Sequence, residues 1–204
     1  MIFFNIAKFA NCEYLHSTML KAPTLKAQDV LVLCQLFTLG DEPWTYASLA
    51  ESVEISVSEA HDAVKRCRSA QLLVTVRDGE IVSKKNFRDL IVFAVPRIFY
   101  AVRGNLEFGW PTAYHLPPLT AEFEGLRPGV SLKNGLPIVW PDPKGTVRGE
   151  TLLPLYPSVP SAARKDAELY EVLALVDVVR LGDIKYRSKA MELLERKIFG
   201  KPVE

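Results

Sequence analysis

The strongest constraint on the fold is a short capped helix that is followed at once by a hairpin pattern. Ser56 and Glu59 have the Ser-x-x-Glu spacing of a capping box, in which each side chain satisfies a free backbone N–H of the other residue. Apolar residues then recur on one face of the predicted helix, beginning with Val57. Two β-prone segments follow and flank Asp78-Gly79, a dipeptide that tight hairpin turns prefer. The sequence therefore predicts a helix packed beside a two-stranded hairpin.

Two further helices are predicted before the capped one. In residues 25–39 apolar side chains recur at steps of three and four residues, and Gly40 follows as a stop signal. Thr45 is a plausible N-cap for a short helix that runs to about Ser52. The predicted order is therefore helix, short helix, turn, capped helix and hairpin.

This order resembles the winged helix-turn-helix regulators of the MarR-like kind, over residues 26–84 only. The family often has glycine at the turn position that Glu54 occupies in this chain, because a left-handed backbone is needed there. The residues that carry the resemblance shape the helix crossing, the turn and the exit from the capped helix: Leu49, Ala50, Val53, Ile55, Ser56 and residues 70–73.

The resemblance implies that the capped helix enters the major groove of DNA and that the hairpin forms a wing beside it. It implies a sequence-specific, double-stranded DNA-binding transcriptional regulator, acting as a homodimeric repressor. The expected DNA contacts are polar residues of the capped helix, the wing and the segment after it: Ser56, Ser58, Glu59, His61, Asp62, Lys65, Arg66, Arg77, Lys84 and Lys85.

Charge along the chain refines this expectation. The formal net charge is only +1, so attraction to phosphate requires a local basic face. Residues 41–62 hold six acidic residues and no lysine or arginine, whereas residues 65–103 hold nine basic residues against three acidic ones. We therefore expect phosphate affinity from the second block, with Arg77 near the wing tip reaching a minor groove.

The expected fold class is α+β and mostly α, with an N-terminal winged helix-turn-helix, a Pro/Gly-rich lobe with short strands, and a C-terminal helix pair. A strongly apolar segment after the hairpin predicts a helix that ends at Pro96. Strands are expected at residues 136–140 and 147–155, and helices at 162–180 and 184–199. The expected divisions are an N-terminal extension, the winged domain, the lobe and the helical segment: 1–18, 19–103, 104–160 and 161–204.

The remaining surfaces leave several partners open. The apolar stripes of helix one and of the C-terminal helix pair are expected to form core first and a dimer interface second. Residues 104–204 could hold a small-molecule effector or a protein partner, and the second case describes an antitoxin-like autorepressor. The acidic run at 41–62 motivates another alternative, a winged-helix interaction module without DNA binding.

Patterns for other chemistry are missing from the sequence. It has no glycine-rich phosphate loop, nucleophile elbow or paired-carboxylate motif, so we expect no enzyme activity, cofactor or metal. Three scattered cysteines suit a reducing cytoplasm, and Cys67, between Arg66 and Arg68, is the thiol best placed for activation. No apolar run is long enough for a transmembrane helix, so no membrane partner is expected.

Overall fold

The structure, a computed structural model, describes residues 24–77, 79–126 and 136–200. The predicted extension 1–18 and Asp78 of the predicted turn lie outside these ranges. Within them the fold is α+β and mostly helical, and no helix is long and apolar enough to cross a bilayer. The helices are α1 (Ala27–Leu39), α2 (Tyr46–Val53), α3 (Val57–Ser69), α4 (Lys84–Asp89), α5 (Val95–Ile98), α6 (Pro117–Thr120), α7 (Val159–Ala163), α8 (Ala167–Leu181) and α9 (Ile184–Phe199). The strands are β1 (Leu73–Val76), β2 (Gly79–Val82), β3 (Arg103–Pro111), β4 (Ile138–Pro141) and β5 (Val147–Leu152).

Side-chain caps begin α2 and α3 at the predicted residues. Thr45 Oγ1 accepts a hydrogen bond from Ser48 N at 3.1 Å. Ser56 Oγ accepts from Glu59 N at 3.2 Å, and the Glu59 carboxylate accepts from Ser56 N at 2.9 Å. Each cap satisfies a backbone N–H that has no partner within its helix, and such caps contribute about 1 kcal/mol.

The turn between α2 and α3 contains a residue in the left-handed region. Glu54 has a φ of 54°, a conformation that costs a residue other than glycine about 1–2 kcal/mol. Its carboxylate is held by Lys165 Nζ at 2.7 Å and by Ser161 Oγ at 2.5 Å. These contacts offset the strain, and they attach the turn to the end of α7.

The hairpin is fastened to α3 by an arginine. Strands β1 and β2 pair antiparallel, with Val76 opposite Gly79. Arg68 Nε and Nη2 of α3 donate to the two carboxylate oxygens of Glu80 in β2, at 2.7 and 2.6 Å. This bidentate contact holds the hairpin in a defined position relative to the helix.

The helix predicted to end at Pro96 continues beyond it, so that expectation was wrong. A π-helical stretch, Leu90–Ala94, links α4 to α5, and α5 reaches Ile98. Pro96 lies in the first turn of α5, where its missing N–H is tolerated. The chain then enters β3, a strand that the sequence did not predict.

Strands β3, β4 and β5 close into a small ring. β3 runs antiparallel to both neighbours, whereas β4 and β5 pair in parallel. Glycine allows this closure, because a Cβ at Gly109 would overlap Trp140 O and one at Gly149 would overlap Pro137 O. Strand β5 lies within its predicted range, β4 overlaps its predicted range and ends one residue later, and the expected helix over 162–180 is divided into α7 and α8.

A single hydrophobic core connects the N-terminal and C-terminal helices. Residues 28–36 of α1 and 172–180 of α8 are buried without interruption. α1 packs against α8, α2 against α7, and α4 against α9. The chain itself therefore covers the apolar stripes of α1 and α8, which form core as expected, and a dimer interface stays a prediction.

Candidate nucleic-acid interface

α3 has one buried face and one exposed polar face. Ala60, Ala63, Val64 and Cys67 point into the core. Ser58, His61, Asp62 and Lys65 are exposed. Val57, which the sequence grouped with the inward face, is 52% exposed. The exposed surface of α3 is therefore polar, with one apolar side chain at its start.

The first turn of this surface is partly committed to the cap. The Ser56 hydroxyl donates to Glu59 Oε2 at 2.7 Å. Hydrogen bonds from the backbone and side chain of Ser56 lower the pKa of the Glu59 carboxyl. Glu59 is therefore a helix cap first, and its Oε2 is occupied by Ser56.

His61 and Asp62 form the centre of the exposed face. The His61 ring lies 5.1 Å from the ring of Tyr46, measured between centroids. Its Nδ1 is 3.9 Å from Asp62 Oδ1. Contact with Tyr46 limits the orientation of the imidazole, while its polar atoms remain at the surface.

Arg66, expected to contact DNA, is used inside the protein instead. Its Nε and Nη2 donate to both carboxylate oxygens of Asp29 in α1, at 2.7 and 2.6 Å. The Asp29 side chain is fully buried, and that of Arg66 is 13% exposed. The hydrogen bonds that Arg66 donates to Asp29 raise the pKa of Arg66. Removing this arginine from the pair would leave a buried carboxylate without its cation, so Arg66 is held within the protein and is not a free surface cation.

Cys67 is not an activated thiol, contrary to the expectation from its neighbours. Burial raises its pKa to about 12. The flanking cations point elsewhere, because Arg66 binds Asp29 and Arg68 binds Glu80. Neighbours in sequence on a helix lie on different faces, so proximity along the chain did not imply contact.

The basic side chains of residues 65–103 divide into those that bind another part of the chain and those that do not. Of these nine cations, four form ion pairs with carboxylates: Arg66, Arg68, Arg88 and Arg103. Arg97 donates to the backbone oxygen of Phe93. Four others are exposed, and their side chains make no hydrogen bond or ion pair to any part of the chain that the structure describes: Lys65, Arg77, Lys84 and Lys85.

One further exposed cation lies beside α3 and was missed by the sequence argument. Lys26 precedes α1, and its backbone N–H donates to Asp29 Oδ2 at 2.8 Å, on the carboxylate that holds Arg66. The sequence contained no signal for it, because it lies 30 residues before the capping serine and comes near α3 only through the packing of α1.

One carboxylate of the acidic run is neutralised by a cation of the chain. Glu54 is paired with Lys165, whereas Glu59 is held by Ser56 and keeps its negative charge. Asp41 and Glu42 lie in the turn after α1. Asp62 is therefore the acidic side chain that remains exposed in the middle of the polar face of α3.

Within the three described ranges, no group of three or more His, Cys, Asp and Glu side chains is arranged to hold a metal ion. Comparisons with protein-family models, with curated proteins and with solved structures found no match to this chain. Any assignment of function therefore depends on the geometry of the chain itself.

Proposed function

We propose that the protein binds double-stranded DNA through α3 and the β1–β2 hairpin and regulates transcription. The observation that carries the proposal is the exposed polar face of α3, clamped by Arg68 and Glu80 to a hairpin that presents Arg77. The order of helices and hairpin agrees with the winged helix-turn-helix resemblance and supports the proposal.

Two kinds of contact follow from this placement. Ser58, His61 and Asp62 can approach base edges, because a major groove about 12 Å wide admits one helix. Phosphate contacts come from exposed cations around that face: Lys26, Lys65, Arg77, Lys84 and Lys85. With this division, cations supply affinity and the centre of α3 supplies base preference.

Salt dependence is the signature of such an interface. Each phosphate neutralised by a cation contributes a slope of about −0.9 to the logarithm of affinity against the logarithm of salt concentration. With a formal net charge of +1, the chain has little general attraction for a polyanion. Binding should therefore be detectable at low salt and fall steeply as salt rises.

The homodimeric repressor remains part of the proposal. One helix and one wing read only a few base pairs, and such proteins reach useful specificity by binding two half-sites about one helical turn apart. Because α1 and α8 are covered by their own chain, the contact between two copies must involve other surfaces. An effector or protein partner at residues 104–204 stays a prediction.

The test starts with selection of bound fragments from sheared genomic DNA. Mobility shifts of a selected duplex over a salt series then compare Lys65→Ala and Arg77→Ala with the matched controls Lys185→Ala and Arg148→Ala, which are also exposed but lie on α9 and β5. We expect each test variant to weaken binding about fivefold to tenfold and to reduce the salt slope by about 1. Failure of every duplex to shift at low salt, or equal loss in the control variants, would contradict the proposal.

A further inference from the structure

A groove of 680 Å³ separates the turn after α1 from the hairpin. Residues 40–44 form one side of it. The other side consists of Val76 at the end of β1 and of Gly79, Glu80 and Ile81 in β2. Its volume lies within the range of small-molecule and peptide sites. None of the residues assigned to the DNA-binding face lines it.

Part of the groove surface is apolar. Val76 is 40% exposed, and Trp44 and Ile81 are half-buried. The Trp44 ring is oriented by an edge-on contact with Tyr46, at 5.5 Å between centroids. A rigid aromatic face beside two aliphatic side chains can take up an apolar group from a partner.

The charged part of the groove is acidic. Asp41 and Glu42 are exposed, and neither is paired with a cation anywhere in the described parts of the chain. Glu80, by contrast, already binds Arg68. Two uncompensated carboxylates next to the face of a tryptophan favour a lysine or arginine side chain, which gains from both charge attraction and the aromatic ring. The same charges disfavour a nucleic acid.

The main chain of β2 also offers hydrogen bonds. Ser83 N donates to Leu72 O, and hydrogen-bonded pairs alternate along an antiparallel ladder. In the observed register Glu80 and Thr75 form a pair without mutual hydrogen bonds. The backbone N–H and C=O of Glu80 therefore point away from β1. Outside the hairpin, no described residue hydrogen bonds to these two groups. An extended segment can therefore add beside β2.

We propose that this groove binds an extended segment of a partner protein in which a lysine or arginine stands two residues from an aliphatic side chain. In an extended chain, residues two apart point to the same side, so both can enter the groove together. The cation lies against Trp44 between Asp41 and Glu42, and the aliphatic group packs on Val76 and Ile81. The proposal does not depend on DNA binding.

A synthetic peptide serves as the probe. The labelled octapeptide Lys-Thr-Val-Thr-Lys-Thr-Val-Thr is titrated with the full chain and followed by fluorescence anisotropy, beside the same peptide with glutamate in place of each lysine. We expect binding of the lysine peptide only. The double variant Asp41→Lys/Glu42→Lys should raise Kd by about tenfold or more, since two attractive contacts become repulsive.

Matched variants separate the groove from general charge. Glu51→Lys/Glu107→Lys makes the same change of charge at exposed sites outside the groove and should leave Kd within about twofold. Val76→Ser should weaken binding several-fold, whereas Val74→Ser, on the same strand but not in the groove lining, should not. If Asp41→Lys/Glu42→Lys proves unfolded by circular dichroism, Asp41→Asn/Glu42→Gln replaces it and should raise Kd about threefold.

Three outcomes would overturn the proposal: no binding of the lysine peptide at about 1 mM, equal binding of the glutamate peptide, or an unchanged Kd in the groove variants. Duplex mobility shifts on the same variants keep the two proposals apart. Peptide binding without any DNA shift would reject the DNA proposal alone, and the reverse result would reject the groove alone.

Discussion

The helical region from α1 to β2 and the strand region from β3 to α8 each contain a buried aspartate held by an arginine, but the two pairs serve different purposes. Asp29 joins α1 to Arg66 of α3, at the edge of the candidate DNA-binding surface. Asp177 pairs with Arg180 one turn along α8, and both side chains are at most 3% exposed.

The second pair is embedded in a wider network. Asp177 Oδ2 also accepts from Thr112 Oγ1 at 2.9 Å and from Trp140 Nε1 at 2.6 Å. Arg180 donates to the backbone oxygens of Phe99, at 2.7 Å, and of Leu153, at 3.3 Å. It therefore holds α8 to the segments on both sides of the strand ring, whereas the Asp29 carboxylate fixes the packing of α1 on α3 and accepts the backbone N–H of Lys26 at the start of α1.

This difference shows that the partner of a charged side chain decides its role. A buried charge is tolerated only when its hydrogen bonds are satisfied, because desolvation costs several kcal/mol per ion. Arg66 pairs with the buried Asp29 carboxylate, whereas Lys65, next to it in sequence, is exposed and available to a ligand.

The largest effect is expected in the strand region. Asp177→Ala should lower the free energy of unfolding by about 4 kcal/mol, because Arg180 and two further donors lose a buried acceptor. Urea unfolding followed by circular dichroism measures this. The double variant Asp177→Leu/Arg180→Met removes both charges and should be less destabilised than Asp177→Ala. A double variant at least as unstable as Asp177→Ala would show that packing, not charge, makes this site important.

A smaller decrease in the free energy of unfolding, about 3 kcal/mol, is expected for Arg66→Ala. This change leaves Asp29 buried without its cation near the protein surface. The same urea experiment, with Lys65→Ala as the exposed control, tests it. Lys65→Ala should unfold within about 0.5 kcal/mol of the unmodified protein. If Arg66→Ala is equally stable and instead weakens duplex binding, then Arg66 belongs to the interface and the contrast between the two neighbours fails.

The smallest effect concerns pH and again separates the two regions. His115 Nδ1 accepts from Ile138 N at 3.1 Å, and burial lowers the pKa of its imidazole to about 4. Since the folded pKa lies below the ordinary value of 6.5, its contribution to stability is present above about pH 6.5 and is lost as pH falls toward 4. We expect the free energy of unfolding to fall by about 1 kcal/mol between about pH 7 and about pH 5, allowing for partial exposure of the imidazole to water.

His115→Asn, which keeps an acceptor near Nδ1, should remove this loss. The exposed His61→Asn in the helical region should leave it unchanged. The measurement is urea unfolding of the three proteins at both pH values. A pH dependence that follows His61 instead would place the sensitive group in the other region.

Local signals were predictable because their causes lie within a few residues. The caps at Thr45 and Ser56 and the hairpin around Gly79 each depend on neighbours in sequence. Features that depend on distant contacts were not. The partner of Arg66 lies 37 residues away, and the contact between Ser161 and Glu54 spans 107.

Errors in the candidate site have the same origin. Val57 fits the inward period of α3, yet it lies at the start of the helix, beyond the reach of the core. Apolar side chains alternate with other residues over positions 106–110 of strand β3, a local signal that was missed, while its pairing partners β4 and β5 lie far along the chain. The atoms that pair with β3 therefore lie outside any short window of sequence around it.

The sequence by itself determined which segments form the N-terminal helices and the hairpin, because caps, stop signals and apolar period act over three or four residues. Only the tertiary structure decided which charges remain at the surface. The partners of the other charges come from distant segments. Because burying an unpaired charge is costly, a buried carboxylate binds an arginine, which is then not available to a ligand.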